Sequence, residues 1–181
     1  MELSDADLIA RVVLDDDHHA FGELVRRHQS AVRATLRTLA RGDQVRADEL
    51  AQDTFLRAYR SLKNFRAESQ FSTWLYRIAY NCFQDELRRV KPHDPIEDHA
   101  AELTQPDVSA RTDLQHDLAE AMKRLTDNER AAITLCYTGG LTHEEAAEAL
   151  NWPLGTVKTN ILTGKEKLRR YLEAWKDRRA T

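Results

Sequence analysis

The chain has 181 residues, 41% hydrophobic and 31% charged, with a formal net charge of −3. That length holds one domain or two small ones, and the acidic balance excludes simple non-specific binding of polyanions. No apolar run approaches the ~18 residues of a membrane span. The start, Met1 to Leu8, lacks the basic opening and apolar core of a signal peptide, so the chain reads as cytoplasmic. Six glycines and four prolines are few, and apolar residues recur at helical spacing over long stretches, so the expected fold class is all-α. Cys82 and Cys136 each lie in an apolar helical pattern without a CxxC pair or paired histidines, and read as buried small hydrophobes.

Charge is unevenly distributed. Residues 1–53 carry 7 bases and 11 acids, 54–91 carry 8 and 3, 92–120 carry 1 and 8, and 121–181 carry 11 and 8. Two basic islands separated by an acidic segment suggest two contacts with one polyanion.

Ser4 is an N-cap for a helix through Leu14. Asp15, Asp16, Asp17, His18 and His19 have the side chains of a metal site, but no further ligand completes one, and they read as a polar turn with an acidic helix start. Phe21, Leu24, Val25, Val32, Leu36 and Leu39 give the core face of a second helix, ended by Gly42-Asp43. A third begins near Ala47, with Leu50, Phe55, Leu56 and Tyr59 as core positions. Its acids Asp48, Glu49 and Asp53 come first and its bases Arg57 and Arg60 last, which suits either the helix dipole or docking to a partner.

After a loop from Leu62 to Ser69 comes a helix holding Phe71, Trp74, Tyr76, Tyr80 and Phe83. Leu75, Ile78, Ala79, Cys82 and Leu87 fall on one apolar side. Trp74, Arg77, Asn81, Gln84 and Arg88 form a second stripe that mixes an indole, amides and guanidiniums, the mixture single-stranded nucleic acid requires. Residues 92–112 contain Pro92, Pro95 and Pro106 in an acidic stretch and read as a flexible linker.

A second domain, 113–181, opens with Leu114, Leu118, Met122 and Leu125 at helical spacing. Thr126 with Glu129, and Thr142 with Glu145, fit capping boxes. A short helix through Leu150, the turn 151–154 and the run from Gly155 describe a helix-turn-helix, with Ala146 and Ala147 at the close approach and Val157, Ile161 and Leu168 in the core. Thr156, Lys158, Thr159, Asn160, Thr163 and Lys165 would then face a DNA major groove.

These motifs, in this order, resemble the extracytoplasmic-function sigma factors, the two-domain initiation subunits of bacterial RNA polymerase. The resemblance rests on DELAQDTFLRAYR from Asp48, Phe65-Arg66, FSTWLYRIAYN from Phe71, Gly140-Leu141-Thr142, Glu145-Ala146-Ala147 and PLGTVK from Pro153. It implies a protein that is not an enzyme and holds no cofactor or metal. Residues 1–91 would dock on the polymerase clamp coiled coil through Asp48, Glu49, Gln52, Asp53 and Arg57. They would also hold the melted −10 element through Asn64, Phe65, Arg66, Ser69, Phe71, Trp74, Arg77, Asn81 and Arg88.

Residues 113–181 would read the −35 duplex and lean on the polymerase flap, and an anti-sigma factor is an expected partner. Arg46 stands where the family often has an acid, so weaker clamp docking, or an input such as phosphorylation of Thr54, is expected. Asn160 and Thr163 stand where arginines are usual, and Gly164 where alanine is. These departures imply an unusual −35 sequence or a weaker −35 grip. Two other classes explain less. A stand-alone helix-turn-helix regulator leaves the aromatic helix idle, and a metal-dependent nuclease has only Asp15–His19.

Overall fold

The computed structural model describes residues 3–90 and 113–179, and all the regular structure among them is helical. The first group comprises α1 (Asp5–Asp15), α2 (His18–Leu39), α3 (Gln44–Ser61), a 3-10 turn (Leu62–Asn64) and α4 (Phe71–Val90). The second comprises α5 (Asp113–Lys123), α6 (Asp127–Tyr137), α7 (His143–Leu150) and α8 (Leu154–Arg179). The acidic stretch 92–112, read as a linker, lies outside the described residues.

Helix starts follow the side chains that can satisfy orphan amides. Ser4 Oγ accepts from the Asp7 amide and Asp7 answers to the Ser4 amide. Asp17 accepts from His19 and Ala20, so this part of the Asp/His cluster acts as a helix cap. Asp43 caps α3 through the Arg46 amide, so the helix begins at Gln44, three residues ahead of the Ala47 expected from sequence. Thr126 with Glu129 and Thr142 with Glu145 form reciprocal boxes at the starts of α6 and α7.

The core face of α3 differs from the one expected. Ala47, Leu50, Ala51, Thr54 and Ala58 are buried, whereas Leu56 is 52% exposed and Phe55 and Tyr59 are only partly covered. Small residues point inward because α3 lies between α2 and α4, and close helix approach favours alanine over larger side chains.

Helix α4 is covered on most of its circumference, by α2 and α3 on one side and by α7 on the other. Trp74, Leu75, Tyr76, Ala79, Tyr80, Cys82 and Phe83 are all buried. The two groups meet here. The Tyr80 ring stands edge-on to Trp152, with centroids 6.0 Å apart, and Gly139 fits against the Tyr76 ring. Arg41 at the end of α2 donates to Asp127 at the start of α6 at 3.2 Å. Asp127 also accepts from Arg130, a fully buried guanidinium that donates to the Met122 and Leu125 carbonyls. Buried charge is tolerated there because its donors are matched by acceptors.

Candidate nucleic-acid and polymerase interfaces

Three surfaces carry the predicted site residues. The first is the outer face of α3. Glu49, Gln52 and Asp53 are exposed and adjacent, and Asp48, partly covered, sits 3.4 Å from Arg33 of α2. Val45, at 71% exposure, and Leu56 add apolar surface that the sequence reading had not assigned to this face. Beside Gln52 and Leu56 an open groove of about 530 Å³ runs between α2 and α3, with Phe21, Val25, Phe55 and Tyr59 in its walls. Arg33 also lines this groove, and the acids Glu49 and Asp53 lie on α3 beside it, so it suits a partner helix with an apolar face whose basic residues reach the α3 side.

Arg57 turns away from that face. Its guanidinium donates to Asp85 of α4 at 2.6 Å and holds that carboxyl below the usual carboxylate range. Arg46 behaves alike: it grips both Glu86 oxygens at 2.7 and 2.8 Å and lies over the Phe83 ring. Its charge therefore serves the α3–α4 joint. Phosphorylation of Thr54 is corrected. That residue is fully buried and its hydroxyl donates to the Leu50 carbonyl at 2.7 Å, beyond the reach of a kinase.

The second surface surrounds the loop before α4. Asn64 and Arg66 are exposed, Ser69 is partly exposed, and Ala67 adopts a left-handed φ of 54° that turns the chain back toward α4. Phe65, Phe71 and Trp74 form a cluster with centroids 5.2–5.9 Å apart, and the His28 ring meets the edge of Phe71. Phe71 and Trp74 are 6% and 8% exposed, so their faces are spent on one another and on the loop. The stripe expected to present an indole beside amides and guanidiniums is corrected accordingly. Asn81 and Arg88 are exposed and Arg77 partly so, but Gln84 donates to the Tyr80 hydroxyl and Arg88 pairs with Asp85. Rings of 150–250 Å² find more stabilisation in the core than on a solvated stripe.

The third surface belongs to α8. Val157 and Ile161 are buried against α6 and α7; Thr156, Thr159 and Thr163 are exposed away from that contact, and Lys158 and Lys165 are exposed at its edge, beside Glu144 and Tyr137. Asn160 is half-covered and its amide donates to the Thr156 carbonyl at 2.8 Å, so its donor is engaged within the helix. Leu162, 72% exposed among these polar residues, was missed by sequence reasoning. The available signal was its position one residue after Ile161, off the buried face.

Gly164 has a packing reason. A Cβ there would lie 2.6 Å from Ile133 Cδ1 and 3.3 Å from Glu129 Cβ. Cys136, on α6 nearby, is half-buried, and burial pushes its thiol up to about 11, with Glu144 adding to the effect. It is therefore a poor nucleophile at neutral pH. Among the described residues no cluster of His, Cys, Asp and Glu could hold a metal ion, and no helix is long and apolar enough to cross a membrane.

Comparison with known proteins matches both halves. Residues 24–92 match the family described as Sigma-70 region 2, and residues 115–168 that described as Sigma-70, region 4. The chain is 34% identical to the ECF RNA polymerase sigma-E factor of Haemophilus influenzae, over 92% of this chain and 94% of that one. It is 34% identical to the ECF RNA polymerase sigma factor SigM of Mycobacterium tuberculosis, over 94% and 86%. Among solved structures, CnrH in complex with the cytosolic domain of CnrY is similar with a TM-score of 0.69 and 26% identity, covering 94% of this chain and 97% of that one. The sigma factor RpoE of Bartonella quintana, in complex with the anti-sigma factor NepR, shares the fold with a TM-score of 0.66 and 23% identity, covering 84% and 96%. The helix-turn-helix with its outward polar face, the acidic groove-flanked α3 and these relatives lead to one conclusion: the chain belongs to the extracytoplasmic-function sigma factors, which direct RNA polymerase to specific promoters.

Proposed function

We propose that the three surfaces divide the work of promoter-specific initiation. Residues 1–91 dock on the polymerase and hold the melted −10 element, and 113–181 read the −35 duplex. The observation that carries this reading is α8. Its buried face is apolar, while Thr156, Lys158, Thr159, Leu162, Thr163 and Lys165 are all exposed, and Thr159, Leu162 and Thr163 lie at the centre of that exposed half as a face for a major groove, with Lys158 and Lys165 toward one edge.

Docking on the clamp coiled coil uses the exposed Glu49, Gln52 and Asp53 with Asp48, and adds Val45 and Leu56. Arg57 contributes by fixing α3 on α4. In the −10 surface, Asn64, Arg66, Ser69, Arg77, Asn81 and Arg88 meet the strand, and a base flipped from the stack enters beside Phe65. Phe71 and Trp74 support that residue from behind. The Leu162 side chain offers an apolar contact for a thymine methyl group, a contact that needs no arginine.

The chain acts by recruitment and has no catalytic role of its own. It works in the cytoplasm, where the polymerase is. A regulatory protein partner is expected on the same surfaces, since CnrH, its relative in fold and sequence, is bound by a cytosolic protein domain. Run-off transcription with core bacterial RNA polymerase and a randomised promoter library tests the whole reading. Discrete transcripts that require the protein, with two shared promoter elements upstream, are expected. Transcription that does not depend on the protein, or duplex binding without polymerase association, would overturn it.

A further inference from the structure

The cations of α8 are unequally engaged. Arg169 and Arg170 both bind Glu166, Lys167 binds Glu129 at 2.8 Å, and Lys158 lies 4.0 Å from Glu144. Lys165 differs. Among the described residues its partner is a neutral hydroxyl, that of Tyr137 at 3.1 Å, and its ammonium lies 5.3 Å from the centroid of the same ring. It thus sits at the hydroxyl end of the tyrosine. A tyrosine 60% exposed at the last position of α6 gains little by burial, so its energetic use lies in what its hydroxyl and ring hold. The geometry is set from beneath. Gly164, next to Lys165, lets α8 approach Ile133, and Ile133 is one helical turn before Tyr137. Together with His143, Lys158, Leu162, Glu166 and Arg169 the pair lines an open cleft of about 490 Å³ where α8 meets α6 and α7, and the one carboxylate there, Glu166, is already engaged by Arg169 and Arg170.

We propose that Tyr137 is a positioning residue for promoter recognition: it holds the Lys165 ammonium, which no carboxylate pairs among the described residues, over this cleft, where it takes a DNA phosphate. The inference rests on the reading of α8 as the −35 reader. A flexible lysine pays rotamer entropy on binding a phosphate. A neutral partner that restrains the lysine lowers that cost, whereas a carboxylate would compete with the phosphate for the charge.

The test uses holoenzyme reconstituted from the full chain and core polymerase, with a promoter selected from a random library, and measures promoter affinity against KCl. Removing one phosphate contact lowers the salt slope by about 0.9, or about 3–4-fold in affinity across a fourfold salt range. Lys165→Ala is expected to show that loss. Tyr137→Phe, which keeps the ring, is expected to lose part of it without a change in melting temperature. The double variant is expected to match Lys165→Ala alone.

A Tyr137→Phe protein with wild-type affinity and slope, or losses that add fully in the double variant, would overturn the proposal. Lys158→Ala separates the two levels. If it weakens promoter binding while Tyr137→Phe does not, only the positioning role falls. If Lys158→Ala, Lys165→Ala and deletion of the −35 element all leave binding unchanged, α8 is not the reader.

Discussion

Replacing Gly164 by alanine separates helix propensity from packing. In an unencumbered helix the change stabilises by about 1 kcal/mol. Here the new methyl would come 2.6 Å from Ile133 Cδ1, about 1 Å inside ordinary carbon contact, and 3.3 Å from Glu129 Cβ. Ile133 is 6% exposed between α6 and α8 and has little room to withdraw. Overpacking of this kind costs about 1–3 kcal/mol, so the single variant should be destabilised by up to about 2 kcal/mol. Ile133→Val deletes the clashing carbon and alone costs about 0.5–1.5 kcal/mol. In the double variant the clash is gone and the propensity gain returns, so the two changes should couple favourably by about 1–2 kcal/mol. Urea titration of the four proteins measures that cycle. Gly164→Ala more stable than wild type, or strictly additive effects, would refute the packing account.

Glu129 is buried, which raises its carboxyl pKa, but the Lys167 ammonium and the Thr126 amide more than offset this and hold it below the usual value. A depressed carboxylate contributes stability above its unfolded pKa and loses it as pH falls through the folded one. Melting of wild type should therefore drop from pH 6 toward pH 3 more steeply than that of Glu129→Gln, and parallel curves would exclude the linkage. Uracil in place of thymine in the selected −35 element removes only the methyl groups. Wild-type holoenzyme should lose affinity on that template while Leu162→Ala should not distinguish the two, and equal losses would count against a methyl contact. Trp152→Ala removes the ring seated on Tyr80. It should enlarge the radius of gyration in small-angle scattering, and an unchanged radius would mean that this ring does not hold the halves together.

Much of the architecture was legible because it depends on local chemistry. Reciprocal capping at Thr126/Glu129 and Thr142/Glu145 needs three residues of spacing and no tertiary knowledge. The outward set on α8 follows from the burial of Val157 and Ile161 at four-residue spacing. Failures fell where a second layer decides. The stripe holding Trp74 counted one apolar side for α4, whereas α2, α3 and α7 cover it from several. Arg46 looked like a surface departure until Glu86, forty residues on, came within 2.7 Å. Asn160 looked free to read a base, yet a helical asparagine can spend its amide on the carbonyl four residues back. Periodicity tells which residues share a face, and the tertiary fold decides what that face meets.

The packing of the two halves conflicts in scale with the promoter they serve. Elements centred near −10 and −35 lie about 25 base pairs apart, roughly 85 Å at 3.4 Å per step. A compact chain of this length has a radius of gyration of about 16 Å and spans about 40 Å. Under the proposed assignment of α4 to the −10 element and α8 to the −35 element, the two helices cannot reach both at once with Tyr80 on Trp152 and Arg41 on Asp127. Reading both therefore requires α7 to leave α4. Among the described residues the contacts that oppose this include one edge-on ring pair worth about 0.5–1.5 kcal/mol, one ion pair, about a third exposed, worth at most about 1 kcal/mol, and the close approach of Gly139 to the Tyr76 ring. Meanwhile the acidic face of α3 and the polar face of α8 stay exposed in the packed form. On the proposed reading polymerase engages α3 before the halves part, and its docking energy must exceed these contacts together with the packing of α4 on α7 and of α2 on α6.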